Sequence, residues 1–300
     1  MKRLTTFRKL PYERQKSVVG WYFVLPWVVG LIVFFIFPLI ESIRYSFGEL
    51  VLDEVGYHIN FVGISNYYRI FVEDSDFLRK VVSSLSSIVM QVPIIVIFSL
   101  FISILLNQKF IGRTFVRATF FLPVIIANGI IITIISGDVF SQGVMENAGS
   151  SQLFKTEFLQ SLLLESGFGE SFVSGLTDLV DGIFGLIWKS GIQILVFLAA
   201  LQTIPESMYE ASKMEGATGW EIFWKITFPM ISPMILLNLI YTIIDSFTDY
   251  SNVVMLYINT FAENMQMSIS SAMSWSYFLI VLVLIAAVYA FVNKRVFYQV

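Results

Sequence analysis

The stretch ESMYEASKMEGATGWEIFWK, Glu206 to Lys225, is a polar link between two long apolar segments, and it reads as two short helices joined by a turn. Pro205 can open the first helix, because the N–H it lacks has no helical partner at that position. Gly216 can close it, since glycine takes the left-handed conformation without steric cost. Thr218 and Glu221 have the T-x-x-E spacing of a capping box, which starts a second helix. Pro229 and Pro233 fall in the first turns of the next apolar run. A helix–glycine–helix element lying flat at a membrane surface is an uncommon way to join two spans.

Composition makes the surroundings of this link a membrane. Apolar residues are 56% and charged residues 14% of the 300, with 29 Phe and a mean hydropathy of +0.76, whereas soluble domains carry roughly 25% charged residues. The absence of Cys excludes disulfides, thiolate metal sites and Cys nucleophiles. Six apolar runs reach the ~20 residues that cross a ~30 Å hydrocarbon layer. They are Val18–Phe47, Val81–Leu106, Ala118–Ser136, Ile183–Thr203, Phe228–Ser246 and Ser268–Val292. The first is too long for the apolar stretch of a signal peptide, and no small-x-small cleavage site follows it. The expected fold is an all-α integral membrane protein with six transmembrane helices.

Charge sets the orientation. With a cytoplasmic N-terminus, thirteen of the nineteen Lys and Arg face the cytoplasm. They lie in the basic arm of residues 1–17, in the loop holding Lys109, Arg113 and Arg117, at Lys213 and Lys225, and at Lys294 and Arg295. The opposite loops are acidic, with Glu49, Asp53, Glu54, Glu73, Asp74 and Asp76 in the first. The positive-inside rule then puts both termini and the Glu206–Lys225 link in the cytoplasm of a multi-pass protein of the plasma membrane.

The chain therefore divides into the arm, 1–17, and a membrane domain, 18–300, with the polar link at 205–227 and a long outer loop at 137–182. Within that loop, Gln152–Glu165 has amphipathic helical spacing. Gly167, Gly169, Gly175 and Gly182 mark flexible connections. No G-x-x-x-x-G-K-[ST], G-x-S-x-G or H-E-x-x-H occurs. The single His58 cannot form a His-based metal cluster. No catalytic residue and no metal ligand is expected, and the chain is not read as an enzyme.

Ionisable groups inside a bilayer cost about 2.5–3.5 kcal/mol at the helix centre, so those present point to a pathway or a partner. Asp245 and Asp249 lie toward the outer end of span five, followed by Tyr250 and Asn252; Lys189 lies in span four beside Trp188 and Gln193. Together with Asn238 they could line a polar, aromatic-flanked cavity for a neutral polyhydroxyl ligand. Equally, Lys189 could pair with Asp245 or Asp249 across a helix interface, or snorkel to the surface. For Asn238, as for Gln91, Pro93, Asn128 and Gly129, interhelical bonding or packing is the plainer reading.

The run Tyr209-Glu210-Ala211-Ser212-Lys213-Met214-Glu215-Gly216-Ala217, followed by Phe223, Ile226, Phe228-Pro229 and Pro233, resembles the E-A-A-x-x-D-G-A loop of binding-protein-dependent ABC importer permeases. Ser212, Glu215 and Phe228 replace the family's second Ala, its Asp and its Leu, with the spacing kept. Leu198 to Pro205, Phe61-Val62-Gly63-Ile64-Ser65-Asn66-Tyr67, and Arg113, Arg117 and Phe121-Leu122-Pro123 are similar to elements of sugar permeases of the maltose and glycerol-phosphate type. The loop at 137–182 departs from that pattern.

The resemblance implies the type I importer permease architecture, and a coupling loop seated in a groove of an ATP-binding subunit. Ala211 and Ala217 would admit a partner backbone, Gly216 would set the turn, and Glu210 and Glu215 would sit on the gripped face. Met208, Tyr209 and Met214 would be apolar anchors. It further implies a second homologous permease, two ATP-binding subunits carrying ATP and Mg, an external solute-binding protein, and a carbohydrate, most simply an oligosaccharide. No cofactor is expected in this chain. The residues are also compatible with a polyamine or glycerol phosphate as solute, or with a non-transporting scaffold or sensor role.

Overall fold

A bilayer offers no partner for backbone N–H and C=O groups, so apolar runs that enter it must bond internally as helices. The computed structural model describes residues 12–53, 56–126, 160, 163–166, 169–249 and 251–297. Helix α1, Tyr12–Leu31, passes through a π-helical turn at Ile32–Ile36 into α2, Phe37–Ser46. Strands β1, Gly48–Asp53, and β2, Gly56–Phe61, follow, then the short α3, Ser65–Tyr68, and a second π-helical turn at Arg69–Glu73. The long α4, Ser75–Asn107, leads to α5, Arg113–Ile126. Next come α6, Glu170–Lys189, α7, Gly191–Thr203, α8, Glu206–Met214, and α9, Gly219–Ile222. A third π-helical turn, Phe223–Thr227, joins α9 to α10, Phe228–Thr248, which is followed by α11, Val253–Glu263, and α12, Met267–Asn293.

Among the described residues five helices are long and apolar enough to cross a membrane, or six if the bent pair α7 and α8 counts as one span. The expected spans one, two, five and six fall on α1–α2, α4, α10 and α12. Span three is described only as far as Ile126, in α5. Span four differs from expectation. Its helix begins at Glu170 and is interrupted at Ser190, after which α7 starts. Gly175 and Gly182, read as flexible connections, lie inside α6. A membrane environment tolerates such glycines, because the alternative is unbonded backbone. Gly167, the segment from Gln152 to Phe158, Asn128 and Gly129 lie outside the described residues.

The chain forms two compact units, Met1–Leu78 with Ile258–Tyr277, and Arg79–Tyr257 with Phe278–Val300. In the first, an antiparallel hairpin pairs Gly48 with Phe61, Glu49 with Asn60 and Leu50 with Ile59. Asn66 fastens it to the end of α2, donating from Nδ2 to Ser46 O at 3.1 Å and to Gly48 O at 2.9 Å. Tyr67 adds a hydroxyl bond to Ser46 Oγ at 2.9 Å. Thus the Asn66-Tyr67 pair of the Phe61–Tyr67 element is a tether. A side chain at Gly48 would collide with Ile59 and crowd the backbone oxygens of Arg44 and Asn60.

In the second unit α4, α7 and α10 pack through a buried polar layer within an apolar core. Ser103 Oγ lies 2.6 Å from Ser99 O in its own helix and 2.9 Å from Ile194 O in α7. Below it Ala200, Leu201, Ile204 and Ile231 form one apolar cluster, and Leu106, Ile194 and Leu198 another. Arg117 of α5 donates from Nη2 to Leu106 O at 3.0 Å, closing the end of α4.

Gly48→Val is expected to destabilise the first unit by about 1–3 kcal/mol, the usual penalty for overfilling a packed site. A melting temperature in detergent equal to that of the parent protein would contradict the packing described.

Candidate functional site

The Glu206–Lys225 link is built from three local devices. Chain direction changes first at Ile204 and Pro205, both extended, where α7 and α8 meet at 64°. Pro205 thus caps α8 from outside rather than occupying its first turn. Next, α8 closes on Gly216, whose φ of 82° only glycine adopts freely. Gly216 N–H bonds Lys213 O and Ala217 N–H bonds Ser212 O, each at 3.0 Å, so the last carbonyls of α8 are satisfied. Finally, Thr218 and Glu221 form the expected capping box. Glu221 Oε2 accepts from Thr218 N at 3.0 Å and from Thr218 Oγ1 at 2.9 Å, while Glu221 N donates back to Thr218 Oγ1 at 3.4 Å. These bonds from Thr218, assisted by Lys225, hold the Glu221 carboxyl down at about 2.

The second helix of the link is not separate from the next span. α9 runs through the π-helical turn into α10, with Phe228 N–H bonding Phe223 O. Pro229 supplies the reason: it has no N–H to bond Lys225 O, so the turn before it widens. The same arrangement precedes Pro38, where Phe37 N–H bonds Ile32 O.

The eight residues expected to meet a partner divide into two sets. Glu210, Ala211, Met214, Glu215 and Gly216 are exposed, Met214 to 89%. Ala217 is half-buried at the turn. Met208 and Tyr209, expected as outward anchors, instead pack back on Ala200, Leu201, Ile204 and Ile231. The Tyr209 hydroxyl lies 3.2 Å from Thr227 Oγ1, so it ties α8 to the foot of α10. Apolar area on the outside comes from Trp220, 71% exposed, and Trp224, whose rings meet edge-on at 5.6 Å. Their i, i+4 spacing was the sequence signal for this face. Lys109 bridges to Glu206 at 2.9 Å, binding the α4–α5 connection to the start of α8 and lowering the Glu206 carboxyl below its usual range. A recess of about 230 Å³ lies behind the link, lined by Ile104, Asn107, Gln108, Tyr209, Phe223 and Thr227 among others.

At the other ends of α7 and α10 the expected path residues also divide. Lys189 Nζ lies 2.8 Å from Asp249 Oδ2, which selects Asp249 over Asp245 as its partner. Ser251 fixes the other oxygen, donating from N at 2.9 Å and Oγ at 2.8 Å to Asp249 Oδ1. Asp245 is exposed and Trp188 half-buried; Tyr250 lies outside the described residues. Gln193, Asn238 and Asn252, expected to line a cavity, are buried in packing. Gln193 Nε2 donates to Thr242 Oγ1 at 3.1 Å, Thr242 Oγ1 to Asn238 O at 2.7 Å, and Asn238 Nδ2 to Gln193 O at 3.3 Å. Asn252 caps α11, accepting from Val254 N at 2.9 Å, and reaches Ser84 Oγ at 3.1 Å. Interhelical hydrogen bonding claims these three amides.

Comparison with known proteins agrees with this architecture. Residues 61–295 match the family model described as "Binding-protein-dependent transport system inner membrane component". The multiple sugar-binding transport system permease protein MsmF of Streptococcus mutans is 31% identical over 72% of this chain and 70% of its own length. The arabinooligosaccharides transport system permease protein AraP of Bacillus subtilis is 28% identical over 85% of this chain and 77% of its own. Among solved structures, a bacterial ABC transporter involved in import of the acidic polysaccharide alginate contains a similar chain, with a TM-score of 0.60 at 18% identity. That match covers 94% of this chain and 97% of the other, and shows a shared fold.

Two outcomes are expected. Replacing Lys189 by Ala should cost about 1–2 kcal/mol, a value reduced from that of a buried pair because both side chains reach solvent. The swap Lys189→Asp with Asp249→Lys should recover more than half of the loss in melting temperature; a swap no better than either single change would contradict a direct pair. Glu221 is shifted down from 4.5 to about 2, so its contribution is complete above about 4.5 and fades only as pH falls through about 2. Amide-exchange protection at the start of α9, corrected for intrinsic rate, should therefore be equal at pH 7 and pH 5. It should fall at both in Thr218→Ala.

Proposed function

Since the chain belongs to the family of binding-protein-dependent transport system inner membrane components, we propose that it is one permease subunit of an ATP-driven importer carrying an oligosaccharide across the plasma membrane. The observation that carries this reading is the capped joint at Gly216. It presents Glu210, Ala211, Met214 and Glu215 outward from a turn braced by Tyr209, Thr227 and Lys109. The chain has no phosphate-binding loop of its own. An ATP-binding partner gripping this face would move α7 and α10 together, because both helices end in it.

In this reading a second permease supplies the other half of the path, two ATP-binding subunits carry ATP and Mg, and a solute-binding protein delivers the sugar outside. Both termini and the Gly216 joint face the cytoplasm. This chain contributes no cofactor and no catalytic residue. Trp188, Lys189, Asp245, Asp249 and Tyr250 form its share of the outer path: a ring for the apolar face of a sugar, and carboxylates for its hydroxyls. Gln193 and Asn238 bind α7 to α10 in the middle of the pair, and Asn252 ties the end of α10 to Ser84. Neutralisation of Lys189 by Asp249 argues against an anionic phosphate solute, since Asp245 then gives that end its negative charge. It also leaves one carboxylate rather than two for a polyamine. The names of MsmF and AraP support a carbohydrate.

Gly216→Leu places a branched side chain at a φ of 82°, at a cost of about 1–2 kcal/mol for the left-handed conformation. Uptake of labelled oligosaccharide by the assembled importer is expected to fall to background, with ATP hydrolysis no longer tied to transport. Normal uptake at normal membrane levels would overturn the coupling role.

A further inference from the structure

We propose that the outward edge of β2 is the place where the external solute-binding protein docks, by adding an extended segment to the hairpin. This rests on the importer reading above. The two edges of the hairpin are treated differently by the chain itself. Leu50 N–H points away from β2, because it donates to Ser268 Oγ at 3.0 Å. Leu50 and its opposite number Ile59 are thus a pair whose backbone groups face outward on both sides. Gly48 and Phe61 have the same parity, and Gly48 O accepts from Asn66 Nδ2. Ser268 and Asn66 thus cover Leu50 N–H and Gly48 O on the edge of β1. On β2 the outward N–H and C=O of Ile59 and Phe61 have no such cover among the described residues. An open edge is a template for another strand.

Side chains beside that edge suit a protein. Phe61 is 81% exposed, and Ile64 and Tyr68 stand exposed one helical turn apart just beyond it. Backbone bonds would give affinity, and these three apolar groups would select the segment. The stretch before the second span carries six acids, Glu49, Asp53, Glu54, Glu73, Asp74 and Asp76, against three cations, Arg69, Arg79 and Lys80. That charge repels an anionic membrane surface and calls for a segment with Lys or Arg. Two outward residues and three apolar side chains make a small patch. Permanent subunit contacts bury about 2,000 Å² or more, whereas transient partners manage with far less. A small site fits a partner that must arrive, release its sugar and leave.

The test uses the complete importer in nanodiscs of neutral lipid. Ile59→Pro removes the N–H that points away from β1 and leaves the β1–β2 ladder bonded, as proline is tolerated on an edge. Phe61→Asp removes the adjoining apolar group without touching the backbone. Both are expected to weaken binding of the solute-binding protein by about tenfold or more, while the second permease and the ATP-binding subunits still copurify. Affinity unchanged in both variants, in an importer whose parent form takes up sugar, overturns the docking edge alone. Loss of the second permease with binding-protein affinity retained also overturns it, and assigns the edge to the permease pair. A parent assembly with no ATP-dependent uptake overturns the importer reading and the edge with it.

Discussion

A positive φ at Gly216 is the constraint on which the Ser190–Asp249 region depends. α7 and α10 are antiparallel neighbours, and the link between them must reverse the chain in a short distance. Every carbonyl at the end of α8 must still find a donor. Only the left-handed turn delivers Gly216 N–H and Ala217 N–H to Lys213 O and Ser212 O together. Once that turn is made, Thr218 arrives extended and caps α9. α9 then continues through the wide turn before Pro229 into α10. The Gly216 turn and the Thr218 cap together set where α9 and α10 begin.

The α7–α10 pair is held at three levels. Tyr209 and Thr227 close the end near the link, the Gln193–Thr242–Asn238 layer binds the middle, and Lys189 with Asp249 closes the far end. Each level uses a different bond type, suited to its depth. Hydroxyls serve at the aqueous end, amides and a threonine where nothing else can satisfy them, and an ion pair where solvent lowers the desolvation cost. A push on α8 would thus reach Asp249 through a braced pair rather than through loose helices.

Much of this was legible in the sequence because it is local. The capping box follows from Thr218 and Glu221 alone, and the closing turn from Gly216. What was missed depends on contacts between distant residues. Tyr209 has the look of an exposed anchor on a polar helix, and only the packing of α8 on Ile204 and Ile231 turns it inward. Asp245 and Asp249 are equivalent by spacing; Ser251 and the end of α10 make Asp249 the partner of Lys189. α6 was hidden by Gly175 and Gly182, which count against a helix in water and much less in lipid. The hairpin had a readable signal: Tyr57, Ile59 and Phe61 alternate with His58 and Asn60. The Phe-Pro pairs at Phe37-Pro38 and Phe228-Pro229 likewise marked the two wide turns.

The central claim is that the outward face of the Gly216 joint is held by an ATP-binding subunit. Met214 stands at the tip of α8 with 89% of its surface free. A photoreactive amino acid placed at Met214 in the complete importer, irradiated in the membrane, tests the claim directly. The account predicts one protein adduct, with the ATP-binding subunit, whose yield changes when ATP is added. Labelling of lipid or of the second permease alone, with the ATP-binding subunits present and active, would contradict it.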